Sequence, residues 1–391
     1  MLRILCLCFY FEPDLSAGSF KNSALVKELA KQLPEGSQVD VITTLPNRYA
    51  SFAASAPEDE RWGNIRIRRV ALPGHQSGMV DQSRSFASYA RQVMKMTAGE
   101  DYDLVYASSS RLMMSVLGGW VSWRKNIPFY LDIRDIFVDT IKDVLPATIT
   151  TFAMPVFSQM EKWAVRRASR VNVVSGGFVP YFQKHFPGIE LSGFTNGIDQ
   201  EFLDAAPSDQ SMLNKPVPEV LYAGNMGEGQ GLHHIIPPLA KRFEGKLTFR
   251  LIGGGGRLQQ LKDNLKAQGC TNVTLDDPVP RHELVNVYAN ADILFLHLND
   301  FDAFKKVLPS KIFEYGALGK PVWAGVGGFS ADFIRENLDN AAVFSPCDVD
   351  AAAESFQELE MKVAPRKEFT ERFSRSRIIE RMAAEIIRTA G

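Results

Sequence analysis

The sequence predicts an α/β protein of two doubly wound domains, and three observations support this prediction. Short apolar segments of strand length alternate with longer amphipathic segments along almost all of the 391 residues. The apolar segments lack the polar alternation of a sheet with one exposed face, which favours parallel strands covered by helices on both sides. The series also runs twice, separated by a polar, proline-containing stretch at 205–218, and a chain of this length exceeds one typical core.

The first series begins near the N-terminus. Arg3 and the apolar residues that follow it look like a short signal peptide, but the apolar run ends at Glu12 and Pro13, so a first buried strand is the better interpretation. The predicted strands are 4–11, 39–43, 65–70, 104–107, 129–133 and 171–174. The predicted helices between them are 22–31, 86–96 and 157–167.

The second series follows the stretch at 205–218. Its predicted strands are 220–223, 247–252, 273–275, 293–297, 321–324 and 342–344. Its predicted helices are 232–242, 258–268, 281–289 and 311–318, and an amphipathic helix at 373–389 ends the chain. We therefore expect an N-terminal domain at 1–205, a C-terminal domain at 206–370, and a last segment, 371–391, whose helix can return to the first domain.

This organisation predicts where chemistry takes place. In open α/β sheets, ligands bind beyond the carboxyl ends of the parallel strands. Two Rossmann-like domains that face each other across a cleft would bring these ends together. The site residues are therefore expected in the loops that follow predicted strands.

Composition narrows the classes of function. The formal net charge of −1 gives no sign of a nucleic-acid partner, and no apolar stretch reaches the roughly 20 residues that span a bilayer. The four cysteines are too few for a disulfide framework, and no cluster of histidine and cysteine has zinc-type spacing. We expect a cytoplasmic protein without a metal, either soluble or attached to the cytoplasmic face of a membrane.

Glycines lie in the loops where ligands are expected. Gly18 lies between the first strand and a helix, Gly224 and Asn225 follow the first strand of the second series, and Gly253 and Arg257 follow the next strand. Glycine lets the backbone approach a diphosphate closely, and a helix N-terminus offers free N–H groups. A tight turn or a flexible connection explains the same glycines, so both interpretations stay open.

The segment around Ser310 carries the most informative pattern. Ser310 is predicted to be the N-cap of a helix, and Lys305, Lys306 and Lys311 surround the helix start. Cations at a helix start oppose the helix dipole, so a bound pyrophosphate would account for them, with solvated lysines as the alternative. Glu314 follows one turn later on the same face, where its carboxylate would accept hydrogen bonds from a ribose diol or form a surface salt bridge.

Asp132 and Arg134 lie at the end of a predicted strand of the first domain. Strand alternation places both side chains on the same side. They could bind sugar hydroxyls of a donor or an acceptor, or they could form an internal ion pair. The sequence favours neither interpretation.

These motifs resemble the retaining nucleotide-sugar glycosyltransferases with the two-domain GT-B fold, and the resemblance covers essentially the full length. The matching stretches are the loop 13–18, Asp132-Ile133-Arg134-Asp135, Val173-Val174-Ser175, Asn196-Gly197-Ile198-Asp199, Ala223-Gly224-Asn225, Gly253-Gly254-Gly255, Ala291-Asp292 and Pro309-Ser310…Glu314…Gly319-Lys320-Pro321-Val322. The last block is the most specific element. The closest similarity is to enzymes that assemble bacterial surface polysaccharides.

The resemblance implies a role for several of these residues. Glu314 would bind the ribose hydroxyls, and the backbone at Ser310 and Lys311 would meet the phosphates. Gly18 would bring the first domain against the diphosphate. The last helix would cross back onto the first domain.

The same resemblance places Val279 and Arg281 beside the base, and it also has departures. Lys306 stands where many members carry the first of two paired glutamates, which is usually placed near the transferred sugar. Gln230 stands where a lysine is expected, and the loop 108–111 lacks a histidine that is common in the family. The missing charge would have to come from another basic residue, namely Lys305, Lys306, Lys311 or Arg257.

We therefore expect transfer of a sugar from a nucleotide-sugar, most consistently a UDP-sugar, to a hydroxyl of a glycan or lipid-linked acceptor, with retention of configuration. The biosynthesis of O-antigen, capsule or a related polysaccharide is the expected setting. The candidate catalytic residues are Lys306, Lys311, Arg134 and Asp132, and the nucleotide-sugar is a co-substrate, with no cofactor or protein nucleophile expected. A UDP-sugar epimerase of the same fold and a non-catalytic nucleotide-sugar-binding subunit are the alternatives.

Two segments of the first domain combine aromatic and basic residues. They are Trp120, Trp123, Arg124 and Lys125, and Phe157, Lys162, Trp163, Arg166 and Arg167. This mixture suits the interface of a bilayer, here the inner membrane, but it also suits an ordinary amphipathic helix that packs its apolar face. At the level of the sequence we favour the ordinary helix.

Overall fold

The computed structural model describes residues 1–14, 16–46, 56–73, 79–109, 111–138 and 147–391. Side chains are described for the same residues except 79–80 and 147–152. Leu15 and Ser110, which belong to loops considered above, lie outside the described residues. The chain forms two compact units, one made of Met1–Asn196 with Ser376–Gly391, and the other of Gly197–Arg375.

The first unit contains an eight-stranded sheet with the order β3-β4-β2-β1-β5-β6-β7-β8. Its strands are β1 (Arg3–Cys8), β2 (Gln38–Thr44), β3 (Asp59–Trp62), β4 (Ile65–Val70), β5 (Leu104–Ser109), β6 (Phe129–Ile133), β7 (Arg170–Val173) and β8 (Leu191–Ser192). All neighbours pair in parallel except β3 and β4, which are antiparallel. Ile4 is in register with Val39 on one side and Leu104 on the other, so β1 is a central strand.

Helices connect these strands and cover the sheet. They are α1 (Ala17–Gln32), α2 (Met79–Thr97), α3 (Leu112–Lys125), α4 (Ala147–Arg167) and α5 (Val179–His185). The helix α1 begins where Ser16 accepts a hydrogen bond from the backbone N–H of Ser19, a side-chain cap for the first turn. The predicted first strand at 4–11 is shorter in the structure, because β1 ends at Cys8.

The second unit contains a six-stranded parallel sheet with the order β12-β11-β10-β13-β14-β15, and a small antiparallel pair of β9 and β16. The strands are β9 (Ser211–Met212), β10 (Glu219–Asn225), β11 (Thr248–Gly254), β12 (Val273–Asp276), β13 (Ile293–His297), β14 (Val322–Gly325), β15 (Ala341–Phe344) and β16 (Lys362–Val363). Successive residues of β10 enter different hydrophobic clusters, with Val220 and Tyr222 in one and Leu221 and Ala223 in the other. The sheet is therefore covered on both faces, as the continuous apolar strands predict.

The helices of the second unit alternate with its strands. They are α6 (Gln200–Asp204), α7 (Leu232–Arg242), α8 (Leu258–Ala267), α9 (Arg281–Asn290), α10 (Lys311–Ala317), α11 (Gly328–Asn337), α12 (Val349–Ser355) and α13 (Lys367–Arg372), followed by α14 (Arg375–Ala390), which ends the chain. The fold is α/β with two Rossmann-like domains.

The predicted domain boundary after residue 205 and the predicted linker at 205–218 are corrected by the structure. The division lies between Asn196 and Gly197, because α6 belongs to the second unit. Phe202 of α6 is buried in the second core, where its ring stacks 5.9 Å from that of Tyr288. The polar stretch is also not a free linker, because β9 lies within it and pairs with β16.

The last helix, α14, packs on the first unit. Ile379, Met382 and Ile386 are buried in the same cluster as Ile4 of β1. The hydroxyl of Tyr130 also donates a hydrogen bond of 2.8 Å to Glu385. In the described part of the chain, no helix combines the length and the apolarity that crossing a membrane requires.

Candidate functional site

Lys311 is the first residue of α10, and its ammonium group lies against the backbone at the end of β10. A Cβ atom on Gly224 would lie 2.5 Å from Nζ of Lys311, so glycine at this position leaves room for the lysine side chain. Nζ also lies 5.5 Å from the ring centroid of Tyr222. Burial lowers the pKa of Lys311, and the charge of Glu314 opposes this effect without cancelling it. The arrangement places a cation beside the backbone at a strand end, where an anionic group can bind.

Gly253 packs directly against Gly224. A Cβ atom on Gly253 would lie 2.0 Å from the carbonyl oxygen of Gly224, and both residues have positive φ angles, 138° and 149°. Glycine is therefore required here by the close approach of β10 and β11 at their carboxyl ends. Gly253 therefore has a packing role that shapes the loop around Gly224, and its contact with a diphosphate stays a prediction.

The carboxylate of Glu314 lies between two side chains of α9. Oε1 is 3.4 Å from Nη1 of Arg281, and Oε2 accepts a hydrogen bond of 3.4 Å from the hydroxyl of Tyr288. Both contacts are long, so the carboxylate keeps acceptor capacity. The side chain of Glu314 is 13% exposed, which means that a ligand can reach it while the protein holds its orientation. The salt-bridge partner of Glu314 is Arg281 on α9. The alternative of an exposed salt bridge within α10 therefore does not describe the structure.

Arg281 holds Glu314 in place through a network of carboxylates. Its guanidinium donates to Asp199, pairs with Glu201 at 2.7 Å and contacts Glu314. Burial lowers the pKa of Arg281, but the three carboxylates outweigh burial and the pKa is raised. Arg375 pairs with Asp199 at 2.6 Å and extends the network to the start of α14. The Arg281 side chain is therefore paired with carboxylates and positions Glu314, and the place of this stretch beside the base stays a prediction.

The loop after β10 is held by amide and imidazole contacts. Nδ2 of Asn225 donates to Oε1 of Gln230 at 2.8 Å, and the backbone N–H of Gly227 donates to the same oxygen at 3.2 Å. Asn225 thus stabilises the loop, and Gln230, which stands where the family often has lysine, is its central acceptor.

His297 fixes the same loop from β13. The backbone N–H of Cys347 donates to Nε2 of His297 at 2.9 Å, so this nitrogen carries no proton. Nδ1 therefore carries the proton and donates to the carbonyl oxygen of Gln230 at 2.7 Å. Burial lowers the pKa of His297 to about 4, which keeps the ring neutral. His297 joins the loop after β10 to the loop after β15.

Three further candidates, Ser310, Lys305 and Lys306, lie at or just before the start of α10. Ser310 is the N-cap residue, but its side chain makes no cap hydrogen bond. Lys305 pairs with Asp302 at 2.8 Å and with Asp300 at 3.5 Å, so its charge is balanced at the surface. Lys306 lies partly exposed in the same turn.

The side chains of two further candidates, Val279 and Arg257, are in contact with other residues of the second unit. Val279 packs against the core that contains Ile312 and Phe313. Arg257 forms an ion pair with Glu228 and a hydrogen bond with Gln260 at 3.1 Å. The charge of Arg257 is therefore paired at the surface of the unit.

Asp132, in the first unit, is the centre of a buried network. Its oxygens accept hydrogen bonds from Lys21 at 3.0 Å, Tyr106 at 3.1 Å and Asn172 at 2.5 Å. Burial alone raises the pKa of Asp132, but the charges of Lys21 and Arg134 outweigh burial, so the pKa is lowered. Asp132 has no exposed surface. The expectation that it binds sugar hydroxyls is therefore corrected, and the alternative of an internal ion pair describes the structure, with Lys21 as the main partner.

Arg134 extends from this network to the start of α1. Nη1 lies 3.6 Å from Asp132, and Nη2 donates to Asn196 at 2.8 Å. Nε would lie 3.5 Å from a Cβ atom on Gly18, at the second position of α1. The structure thus brings Gly18 and Arg134 together, although they are far apart in the sequence. A helix N-terminus and a guanidinium at one place favour an anionic ligand.

Sequence reasoning missed Asp199, Lys21 and His297. Asp199 ends the motif Asn196-Gly197-Ile198-Asp199, but nothing in the sequence indicates its contact with Arg281, which lies 82 residues later. Lys21 has the spacing of an ordinary helix residue. His297 ends an apolar strand, and a polar residue at the carboxyl end of a buried strand is the one signal that could have identified it.

One group among the described residues could hold a metal by proximity. Ligand atoms of Glu228, His233 and His234 lie within 4.8 Å of one another. Arg257 pairs with Glu228, so a cation there would have to displace a guanidinium. We assign no metal to this group.

Two family models match the chain. Residues 23–188 match the model described as glycosyl transferase 4-like domain, and residues 207–375 match the model described as glycosyl transferases group 1. Together they account for most of the chain. No curated protein sequence matches it significantly.

Solved structures with the same fold cover the whole chain. Sucrose-phosphate synthase from Thermosynechococcus elongatus superimposes with a TM-score of 0.72 at 16% identity, over 99% of this chain and 98% of the other. Alr3699/HepE from Anabaena, in complex with UDP and glucose, has a TM-score of 0.68 at 15% identity, over 99% and 100%. WaaG, a glycosyltransferase involved in lipopolysaccharide biosynthesis, has a TM-score of 0.64 at 14% identity, over 97% and 95%.

These likenesses establish the architecture, since identities this low carry no more than the fold. The chain belongs to the GT-B glycosyltransferases that join a glycosyl transferase 4-like domain to a glycosyl transferases group 1 domain.

Proposed function

We propose that the protein transfers a sugar from a UDP-linked donor to a hydroxyl of a glycan or lipid-linked acceptor, with retention of configuration. Its family indicates a transferase. Neighbours of the same fold have been solved with UDP and glucose and with UDP-glucose, which supports UDP as the nucleotide. One neighbour is involved in lipopolysaccharide biosynthesis, which supports a place in the assembly of a surface polysaccharide.

The observation that carries the proposal is the pairing of Lys311 with Glu314 on one helix. Lys311 presents its ammonium beside Gly224, and Glu314 lies one turn later with weakly used acceptors. A diphosphate at Lys311 would place the adjoining ribose about one helical turn, or about 5 Å, further along α10. The carboxylate of Glu314 would then accept hydrogen bonds from both ribose hydroxyls.

This arrangement assists the reaction through the leaving group. Breaking the bond between the sugar and the diphosphate adds negative charge to the diphosphate, and Lys311 stabilises that charge better in a partly desolvated site than in water. The acceptor hydroxyl supplies the new bond, so the protein need not supply a nucleophile. Gly18 and Arg134 stay predicted contacts for an anionic group, and Lys306 stays a predicted contact for the transferred sugar.

A thermal-shift screen with UDP-, GDP- and TDP-sugars tests the choice of nucleotide. A ligand that binds the native state raises the melting temperature in proportion to the logarithm of its concentration above the Kd. We expect UDP and UDP-sugars to stabilise the protein, and uridine to do so much less because it lacks the diphosphate. Stabilisation by GDP or TDP alone would refute the choice of UDP while leaving the phosphate site intact.

The two alternatives give different outcomes with the donor. An epimerase would convert a UDP-sugar without any acceptor, whereas a transferase would release UDP at an appreciable rate only with an acceptor hydroxyl. A non-catalytic subunit would bind the donor and leave it unchanged in both conditions. Chromatography of the nucleotide products separates the three cases.

A further inference from the structure

The helices α3 and α4 leave large parts of several aromatic and aliphatic side chains exposed. Trp123 on α3 is 60% exposed, and Val156 and Trp163 on α4 are 58% and 41% exposed. Exposed tryptophans of this extent are unusual in a protein whose other large aromatic residues are mostly buried. The sequence alone favoured ordinary packing for both helices, and the structure changes that judgement.

These side chains lie on one continuous face. The indole of Trp163 lies over α3, because a Cβ atom on Gly119 would be 3.2 Å from the ring. Trp123 follows Gly119 by one turn on the same side of α3, and Val156 precedes Trp163 by two turns on the same side of α4. We call the face defined by Trp123, Val156 and Trp163 the tryptophan face. It extends about 10 Å along α4.

The exposed charges that α3 and α4 themselves carry are all positive. The only acidic residue within α3 and α4 is Glu161, which is buried and bonded to the hydroxyl of Tyr181. The exposed charges are those of Arg124 and Arg166, and Lys162 is partly exposed. The guanidinium of Arg124 rests 5.2 Å from the ring centroid of Trp120, where it stays at the surface.

Two other cations of these helices serve the fold instead. Lys125 donates to the carbonyl oxygen of Glu100, and Arg167 donates to the carbonyl oxygens of Ser122 and Ile127. Arg124, Arg166 and Lys162 are therefore the positive charges of the helices that remain available to a partner.

We infer that the tryptophan face docks on the surface of an anionic lipid bilayer. Tryptophan prefers the boundary between lipid headgroups and acyl chains, and basic side chains beside it are attracted to anionic headgroups. No helix in the described ranges can span the bilayer, so the contact is one of the surface. A lipid-linked acceptor lies in such a surface, so docking would bring the protein to its substrate. This last step rests on the proposed function, and the docking itself does not.

Flotation with lipid vesicles tests the inference. We expect the wild-type protein to float with vesicles of phosphatidylglycerol and phosphatidylcholine, and to remain unbound with phosphatidylcholine alone or at high salt. Trp123→Ser should abolish most of the binding. Arg124→Glu and Arg166→Glu should each weaken it at least about fivefold, the factor expected from one basic residue at an anionic surface.

Matched controls separate docking from a general loss of structure. Met212→Ser removes an equally exposed apolar side chain from the second unit, and Lys246→Glu reverses an exposed charge there. Both should bind vesicles as the wild type does, and all variants should keep the melting temperature and its shift by UDP. Wild-type protein that does not float with anionic vesicles, or Trp123→Ser that floats like the wild type, would overturn the inference. A failure of the UDP shift in every variant would instead count against the proposed function.

Discussion

Two residues of α10, Lys311 and Glu314, carry the proposed chemistry, and both were candidates from the sequence. Their spacing and the positive charge around Ser310 were sufficient, because residues three apart on a helix share a face. The sequence could not show what orients Glu314. Arg281 reaches it from α9, and the carboxylates that hold Arg281 come from the start of the second unit. Such contacts depend on the tertiary fold and leave no local pattern.

The lowered pKa of Lys311 leads to a prediction about pH. An ammonium that loses its proton below the ordinary lysine value of 10.5 ceases to attract a diphosphate at a lower pH than a surface lysine would. We expect the affinity for UDP to fall, as the pH rises, at a lower pH than the ordinary lysine value of 10.5 would give. Calorimetric titration at several pH values measures it, with uridine as the control for titration of the base.

Lys311→Met provides the comparison for this prediction. It should bind UDP at least about tenfold more weakly than the wild type at neutral pH, since it lacks a charge-assisted contact. Its remaining affinity should follow the pH profile of uridine. A variant whose UDP affinity changes with pH as the wild type's does would show that another group is responsible.

Asp132 shows why the sequence could not decide between a ligand contact and an internal ion pair. Alternation correctly placed Asp132 and Arg134 on one side, but it gives no depth along the strand. Asp132 lies two residues before the chain leaves the sheet, far enough inside to meet Lys21 of α1 and Asn172 of β7. A buried charge requires such partners, and they take up the carboxylate that a ligand would need.

At the scale of elements, the glycines at the ends of β10 and β11 allow these two strands to pack closely. Gly253→Ala should destabilise the protein by about 3 kcal/mol, because its Cβ atom would collide with the Gly224 carbonyl and its φ of 138° is unfavourable for alanine. Denaturation with urea measures the free energy of unfolding. The adjacent Gly254→Ala is the control, since nothing lies within 4 Å of its Cβ position. Equal effects of the two substitutions would contradict the packing role.

His297 connects two loops, and its protonation should affect stability. Its pKa is about 4 in the folded protein and about 6.5 in the unfolded chain, so the unfolded chain takes up the proton first as the pH falls. The stability that neutral His297 contributes is therefore complete above pH 6.5 and is lost as the pH falls towards 4. Between pH 7.5 and pH 5 the expected loss is about 2 kcal/mol.

The comparison of wild type with His297→Asn isolates this effect. Other groups titrate in the same pH range, but they do so in both proteins. A difference between the two proteins in how the free energy of unfolding changes with pH is therefore due to His297. The variant should be less stable at pH 7.5, and its free energy of unfolding should change less between pH 7.5 and pH 5. Parallel pH profiles for the two proteins would exclude His297 as the source.

The elements themselves were predicted unevenly. Buried parallel strands such as β1 and β13 were recognisable because both faces are covered and nearly all of their residues are apolar. The strand β3 was missed, since it lies at a sheet edge and its residues are polar and partly exposed. The two-residue strands β8, β9 and β16 are too short for any periodicity.

For the whole molecule, the chain leaves the first unit at Asn196 and returns to it at Ser376. The sequence analysis placed the boundary at a polar, proline-containing stretch, because this composition is typical of a linker. The structure places it before α6, since the burial of Phe202 decides to which unit this helix belongs. The apolar face of α14 is visible in the sequence. The surface on which α14 packs was predicted only from the resemblance to GT-B glycosyltransferases.

The central claim is that the second unit binds a uridine diphosphate sugar through Glu314, and titration of UDP by calorimetry tests it most directly. Glu314→Ala keeps Arg281 paired with Asp199 and Glu201, so its fold should persist. We expect the wild type to bind UDP and Glu314→Ala to bind it about 10- to 100-fold more weakly, as the loss of hydrogen bonds to a charged group implies. Replacement of the exposed Glu354 by alanine should change nothing. Unchanged affinity for UDP in Glu314→Ala, or a wild type that binds no UDP, would contradict the claim.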